Sequence, residues 1–360
     1  MLRRDDRSKS PSRVILSNSD QSKLFTIEAL RGLAALAVAW FHLTYTNSSH
    51  LARVSGSFGW LGVEVFFVIS GFVIPYSLQH SGYTIAEFPR FIARRFCRLE
   101  PPYLVSIIVL LAVWELSFRT PGFGGASPSY SSGQVLSHLF YLIPFTKYQW
   151  LNGVYWTLAA EFAFYVLLGI LWPLFSRLHV GSTFMFFCVV YLFLKYFRIR
   201  GPEGPELIFL FFIGICSCRY FVGSDKLSDF VLFSSMAVGV LWYLGNIFVA
   251  VTALSSATVI VFVKIPRYRV LHFAGTISYS LYLLHFPIGN RVLNIGKRFD
   301  EGAVYEAFLA GLALLTCVMA ATIFYLFIEG PAQRLSRRVG RRYPAGQVTS
   351  PSPGAAADLP

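Results

Sequence analysis

Ionisable side chains inside long apolar segments are the residues of this sequence that could do chemistry. His42 and His285 lie in two such segments, and the carboxylates Glu64 and Glu161 lie in two others. An ionisable group within a membrane costs roughly 2.5–3.5 kcal/mol, so it usually faces a cavity and serves a function. A histidine beside a carboxylate can act as a general base. We therefore take His42, Glu64 and Glu161 as candidate catalytic residues.

The depth of these three residues supports the grouping. Counted along a helix at about 1.5 Å per residue, each lies roughly 6–12 Å below one surface of the bilayer. Arg31 lies on the same apolar segment as His42. Eleven steps of about 100° bring Arg31 and His42 to one helix face, about 16 Å apart along the axis. One face thus carries a cation near one surface and a base near the other.

A basic cluster precedes the third apolar segment. Arg90, Arg94, Arg95 and Arg98 alternate there with aromatic residues, and Arg95 and Arg98 are neighbours on a helical surface. The cluster could be an anchor that sets membrane orientation. It could equally bind phosphates, because the arginine guanidinium holds phosphate oxygens bidentately.

Two further segments carry polar side chains at helical spacing. Thr157, Glu161 and Tyr165 recur every four residues and form one stripe of an apolar helix. Tyr282 and His285 lie one turn apart on another segment. His285 is either a structural hydrogen-bonding residue between helices or part of a functional site. No glycine-rich phosphate loop or H-E-x-x-H motif occurs in the sequence, so we expect no metal site.

The composition identifies the elements that must position these residues. Hydrophobic residues make up 55% of the 360 positions and charged residues only 14%, against about 25% charged in a typical soluble domain. Mean hydropathy is +0.57. The net charge of +13 comes from short basic segments between apolar runs, which is typical of membrane orientation. We find no nucleic-acid-binding module.

The sequence predicts an all-α polytopic membrane protein of about ten transmembrane helices, with no appended soluble domain. Residues 1–25 form a polar N-terminal tail, residues 26–328 the membrane domain, and residues 329–360 a basic, partly disordered C-terminal tail. A weaker segment, Val135–Phe145, is expected to be re-entrant or interfacial. The predicted spans are 26–46, 58–78, 100–118, 153–176, 182–197, 206–222, 228–245, 247–263, 270–295 and 303–328.

The distribution of Lys and Arg predicts the orientation. With ten spans and a cytoplasmic N-terminus, the inner segments carry more than twice as many of the 31 basic residues as the outer ones. Both termini and the loop 79–99 are therefore expected in the cytoplasm.

Five sequence blocks, in this order, resemble acyltransferase family 3. These are bacterial inner-membrane acyltransferases that modify surface polysaccharides, glycolipids, Nod factors and macrolides. The resemblance runs from Ile27 to Glu329 and rests on the blocks Ile27–His42, Gly62–Ile74, Arg94–Tyr103, Trp156–Tyr165 and Ile277–Pro287.

The resemblance implies a membrane-embedded O-acyltransferase. It implies an acyl-CoA donor on the cytoplasmic side, acetyl-CoA above all, with no tightly bound cofactor. The acceptor would be a hydroxyl of a carbohydrate, a glycolipid or a macrolide. It further implies a catalytic role for His42, functional importance for Arg31, and roles for Arg95 and Arg98. Glu64 stands where the family often has Asp.

Together these observations predict a mechanism. Arg94, Arg95 and Arg98 would hold the CoA phosphates, with Arg31 lining the passage. His42, oriented by Glu64 or Glu161, would deprotonate the acceptor hydroxyl. Other candidate residues lie on the substrate side, where polar donors would stabilise the developing oxyanion: Trp156, Tyr165, Tyr282 and His285. The alternative is a transporter or flippase of glycoconjugates, which would use the same polar residues as a substrate path and require no CoA.

Overall fold

The computed structural model describes residues 18–120, 127–197, 204–299 and 302–339, and within these ranges the chain is helical without strands. The all-α prediction is confirmed. The predicted tail segments 1–17 and 340–360 lie outside the described residues. The α-helices are α1 (Asn18–Thr44), α2 (His50–Gly56), α3 (Gly62–His80), α4 (Phe88–Phe118), α5 (Ser132–Leu139), α6 (Trp156–Phe175), α7 (Val180–Tyr196), α8 (Ile208–Phe221), α9 (Leu227–Leu244), α10 (Ile247–Phe262), α11 (Arg269–Gly296), α12 (Ala303–Phe324) and α13 (Gly330–Val339).

A helix occupies each of the ten predicted spans. Among the described residues, six helical segments are long and apolar enough to cross a membrane, and α7 and α10 are shorter apolar helices. The chain is thus built as a helical membrane protein, while the count of ten spans stays a prediction. The six segments are Ser22–Thr44, His50–His80, Ile85–Phe118, Trp156–Phe175, Leu227–Leu244 and Ala303–Val339.

The helix of the third predicted span, α4, begins much earlier than the sequence predicted. α4 starts at Phe88 rather than at residue 100, so the arginine cluster occupies its first turns instead of a loop. Pro89 lies in the first turn, where its missing N–H costs nothing. The prediction ended the span where charge began, but charged residues do not end a helix. A helix that carries charged residues continues, but its charged turns lie outside the hydrocarbon layer of the membrane.

α1 and α11 approach each other closely within the bundle. A Cβ atom built at Gly32 would lie 2.6 Å from the backbone nitrogen of Gly275. Glu28 lies beside Gly275, and His42 lies beside His285 further along, so the two helices run parallel. Small residues allow such an approach between helices in a membrane.

The outer helices bury an aromatic core and expose apolar side chains. Phe211 on α8 packs against Phe67 and Phe164. Large apolar residues such as Tyr243 and Val304 point away from the bundle. An apolar outer surface is what contact with lipid requires.

α5 occupies the segment that the sequence predicted as re-entrant or interfacial, followed by a 3₁₀ turn at Ile143–Phe145. His138 on α5 is fully buried. Its Nδ1 lies 2.9 Å from the Gln134 carbonyl oxygen, and its Nε2 accepts from the backbone N–H of Leu151 at 3.0 Å. Burial lowers the pKa of His138. This neutral imidazole fixes the segment that leads into α6.

The chain changes helix type after α12. Tyr325–Glu329 form a π-helical turn, and α13 follows within the region that the sequence predicted as tail. The Ser336 hydroxyl donates to the Arg94 carbonyl at 2.8 Å, which fixes α13 against α4. π-helical turns often occur at functional sites.

Candidate active site

A cavity of about 500 Å³ lies among α1, α3, α4, α6, α11 and the π-helical turn. Six of the predicted site residues line it: Arg31, Arg95, Arg98, Glu161, Tyr165 and Tyr282. The other five lie outside the lining: His42, Glu64, Arg94, Trp156 and His285. The predicted residues therefore do not all meet in one site.

Three guanidinium groups from α1 and α4 face this cavity, beside a fourth, Arg337, from α13. Arg31, Arg95 and Arg98 come from α1 and α4, and none of them forms an ion pair within 4.0 Å among the described residues. Glu161 and Glu329 interact with Arg31 only electrostatically, from a greater distance. Cations lining a cavity without close carboxylates favour an anionic ligand.

Arg95 is held by aromatic rings. Its guanidinium carbon lies 5.4 Å from the centre of the Phe91 ring and 5.2 Å from that of Tyr165. The Tyr165 hydroxyl donates to Glu161, which also accepts from the Ser70 hydroxyl at 2.7 Å. Stacking orients the guanidinium plane while leaving its N–H groups for a ligand.

The rest of the arginine cluster turns away from the cavity. Arg94 is exposed, and only its backbone is engaged, by Ser336. Arg90 is also exposed and lies 4.0 Å from Glu87. The structure thus does not bring Arg94 together with Arg95 and Arg98, because one helical step rotates a side chain by about 100°.

Glu329 is a cavity residue that the sequence reasoning missed. It is buried, and it accepts from the Ser280 backbone N–H at 3.1 Å, from the Ser280 hydroxyl and from Gln333 at 2.9 Å. The predicted span ended one residue earlier and assigned Glu329 to the tail. Its position directly after a long apolar run was the signal, since such a carboxylate is costly unless it is satisfied. Arg337, on α13, also lines the cavity.

The inner wall of the cavity is formed by Tyr282 and Phe66, whose rings meet edge to face at 5.6 Å. The Tyr282 hydroxyl lies 2.9 Å from the Thr157 hydroxyl and donates to the Val154 carbonyl at 3.3 Å. These contacts fix the tyrosine between α11 and the start of α6.

Behind Tyr282 lies a pair of histidines. The His285 ring is 5.9 Å from the Tyr282 ring and 5.1 Å from the His42 ring. Its Nε2 lies 3.2 Å from Nδ1 of His42. His285 is fully buried and His42 is half-buried. The described side-chain hydrogen-bonding partner of the His42 ring is therefore a histidine, where the sequence predicted a carboxylate.

The two predicted carboxylates lie at different levels of the bundle. Glu64 is buried in the first turn of α3. Glu161, on α6, accepts from the hydroxyl of Ser70. Ser70 lies on α3, six residues beyond Glu64 and about 9 Å further along the helix axis. Trp156 packs on Phe67, with ring centres 5.8 Å apart. Glu161 thus belongs to the arginine cavity.

Comparison with known proteins identifies the family. The family model described as an acyltransferase domain matches residues 24–328. The chain belongs to this acyltransferase family. The resemblance seen in the five sequence blocks is confirmed, and acyl transfer rather than transport is the activity of the named relatives.

Three relatives extend the comparison. The chain is 26% identical over 335 residues to peptidoglycan O-acetyltransferase OatA of Listeria monocytogenes, covering 87% of this chain and 45% of that protein. It is 25% identical to YrhL of Bacillus subtilis, covering 87% of this chain and 56% of the relative. It is 24% identical to acyltransferase MdmB of Streptomyces mycarofaciens, covering 92% and 96%.

The chain thus spans about half the length of the first two relatives and nearly all of the third. No solved structure matches the chain.

Proposed function

We propose that this acyltransferase moves an acyl group, acetyl or another short acyl, from cytosolic acyl-CoA to a hydroxyl of a carbohydrate or glycoconjugate. The observation that carries the proposal is a cavity lined by Arg31, Arg95 and Arg98, none of which forms an ion pair within 4.0 Å among the described residues. CoA is the acyl donor whose phosphates such a cavity suits, because arginine binds phosphate through paired hydrogen bonds. Relatives named as peptidoglycan O-acetyltransferases support a carbohydrate acceptor.

The donor would enter from the end of the bundle where α1 and α11 begin. Leu24, His272 and Arg337 line the cavity at that end. The excess of basic residues supports a cytoplasmic location for this end and for both termini, in a bacterial inner membrane. The phosphates would bind Arg31, Arg95 and Arg98, with the thioester directed towards Tyr282.

His42 would act as the general base. The acceptor hydroxyl would give its proton to His42 as its oxygen bonds to the acyl carbon and the carbon–sulfur bond breaks. The proton would then pass to the CoA thiolate. Tyr282, on the cavity wall one turn from His285, would stabilise the oxyanion by turning its hydroxyl from the Val154 carbonyl towards the acyl oxygen.

Titration of the purified protein with acyl-CoA tests the donor site. Arg95→Ala and Arg98→Ala should each weaken binding by about 1.5–3 kcal/mol, the worth of a charge-assisted hydrogen bond. Arg90→Ala is the matched control, since it removes the same charge from the same helix at an exposed position outside the cavity. Equal affinity in all three variants would leave the cluster as an orientation signal and remove the support for CoA.

A further inference from the structure

The hydrogen bonds of the two histidines behind Tyr282 determine which ring nitrogen of each carries the proton. Nδ1 of His285 lies 3.2 Å from the Leu281 carbonyl oxygen, and Nδ1 of His42 lies 2.9 Å from the Val38 carbonyl oxygen. A carbonyl oxygen only accepts, so each Nδ1 must carry the proton. The neutral rings then each present a lone pair at Nε2.

The lone pair of His285 is directed at His42. Nε2 of His285 lies 3.2 Å from the protonated Nδ1 of His42, which it shares with the Val38 carbonyl. Nε2 of His42 has no hydrogen-bonding partner among the described residues. The pair therefore leaves one unused lone pair, on the half-buried ring.

We infer that His285 is a positioning residue that makes His42 the base, so that the two form a histidine dyad. The inference rests on the proposed function. His285 accepts from Nδ1–H of His42 and holds that tautomer, which keeps Nε2 of His42 ready for the acceptor proton. When Nε2 takes the proton, the positive imidazolium keeps two acceptors at Nδ1, the Val38 carbonyl and His285. In many hydrolases a carboxylate orients the catalytic histidine in this way.

Burial explains how a neutral histidine can serve here. His285 is fully enclosed between the His42 and Tyr282 rings, and the Cys317 thiol contacts its backbone carbonyl at 3.5 Å. A carboxylate in this place would carry a charge that is unfavourable to bury without a partner. An imidazole supplies the acceptor without the charge.

The test compares two variants by turnover per folded protein and by KM for acyl-CoA. His285→Phe keeps the ring and removes the acceptor, so kcat should fall on the order of 10² while KM stays within about threefold. His285→Gln keeps an acceptor oxygen near the position of Nε2 and should retain at least about a tenth of wild-type kcat. Equal losses in the two variants, or a change in KM alone, would overturn the dyad.

Two further variants separate this inference from the proposed function. His42→Gln and the double variant His42→Gln/His285→Phe should have the same residual activity, because residues that act as a unit are not additive. If His42→Gln were nearly inactive while His285→Phe kept full activity, His42 would still be the base, but the dyad would be ruled out. An active His42→Gln would remove the proposed base itself. His138→Phe, the loss of a buried imidazole outside the site, measures the purely structural cost.

Discussion

Arg31 and His42 lie on the same helix, yet Arg31 faces a cavity of about 500 Å³ and His42 packs against a second imidazole. The cavity end is wide and rich in cations, as a large anionic donor requires. At the histidine end, hydrogen bonds to the Val38 and Leu281 carbonyls fix the proton of each ring. In the proposed mechanism, donor binding and proton transfer therefore belong to separate ends of α1, with Tyr282 and Phe66 between them.

The largest effect should come from the histidine end. We expect His42→Gln to lower acyl transfer by on the order of 10²–10⁴, because an amide forms hydrogen bonds but takes no proton at neutral pH. Acyl-CoA affinity should stay unchanged, since the arginines line a separate cavity. Product formation by mass spectrometry and donor titration check the two halves of this prediction. Loss of donor affinity in His42→Gln would show that the two ends are not separate.

At the cavity end, lysine should replace one arginine better than the other. Arg95 lies over the Phe91 and Tyr165 rings, so Arg95→Lys loses both the bidentate fork and the stacking. We expect about a tenfold loss of acyl-CoA affinity there, corresponding to about 1.4 kcal/mol. Arg98→Lys should lose less, because no ring contact holds Arg98 among the described residues. The reverse order would contradict the role of the aromatic rings.

Between the two ends, the contact of α1 with α11 should be intolerant of added volume. Gly32→Ala places a Cβ atom 2.6 Å from the Gly275 nitrogen and should destabilise the protein by about 1–3 kcal/mol. Gly311→Ala is the matched control, since open space surrounds Gly311 on α12. Thermal unfolding in detergent compares the two, and equal melting temperatures would mean that the helices separate without cost.

The smallest effect concerns a histidine outside both ends. Burial lowers the pKa of His138, so the unfolded chain binds a proton there before the folded one does. The stabilising effect of the neutral ring is complete above about pH 6.5 and declines as the pH falls below it, by at most about 1.4 kcal/mol per unit. We expect the melting temperature of His138→Phe to fall less between pH 7.5 and pH 5.5 than that of the wild type. An equal fall would assign the acid sensitivity to other groups.

The sequence predicted the helices well and their limits poorly. Apolar runs located a helix at each expected span, because hydropathy follows directly from the bilayer. The start of α4 was misplaced, since hydropathy reports where lipid ends and not where backbone hydrogen bonding ends. The buried carboxylates Glu100 and Glu329 were missed for the same reason, as both lie at the edge of an apolar run.

The candidate site shows a similar division. Arg31, Arg94, Arg95 and Arg98 were predicted to act together, and all of them except Arg94 line one cavity. The contact between His42 and His285 joins residues 243 positions apart. It depends on how closely α1 approaches α11, which no local pattern in either segment reports.

The π-helical turn at Tyr325–Glu329 sets the direction in which the side chains of α13 point around the helix axis. One extra residue in a helix turns all later side chains by about 100° around the axis. Gln333 and Arg337 on α13 line the cavity in this phase. A single-residue deletion in the turn would leave the composition and charge of α13 intact, yet it would aim a different set of its side chains at the cavity. The number of residues in the π-helical turn thus determines which side chains of α13 face the cavity.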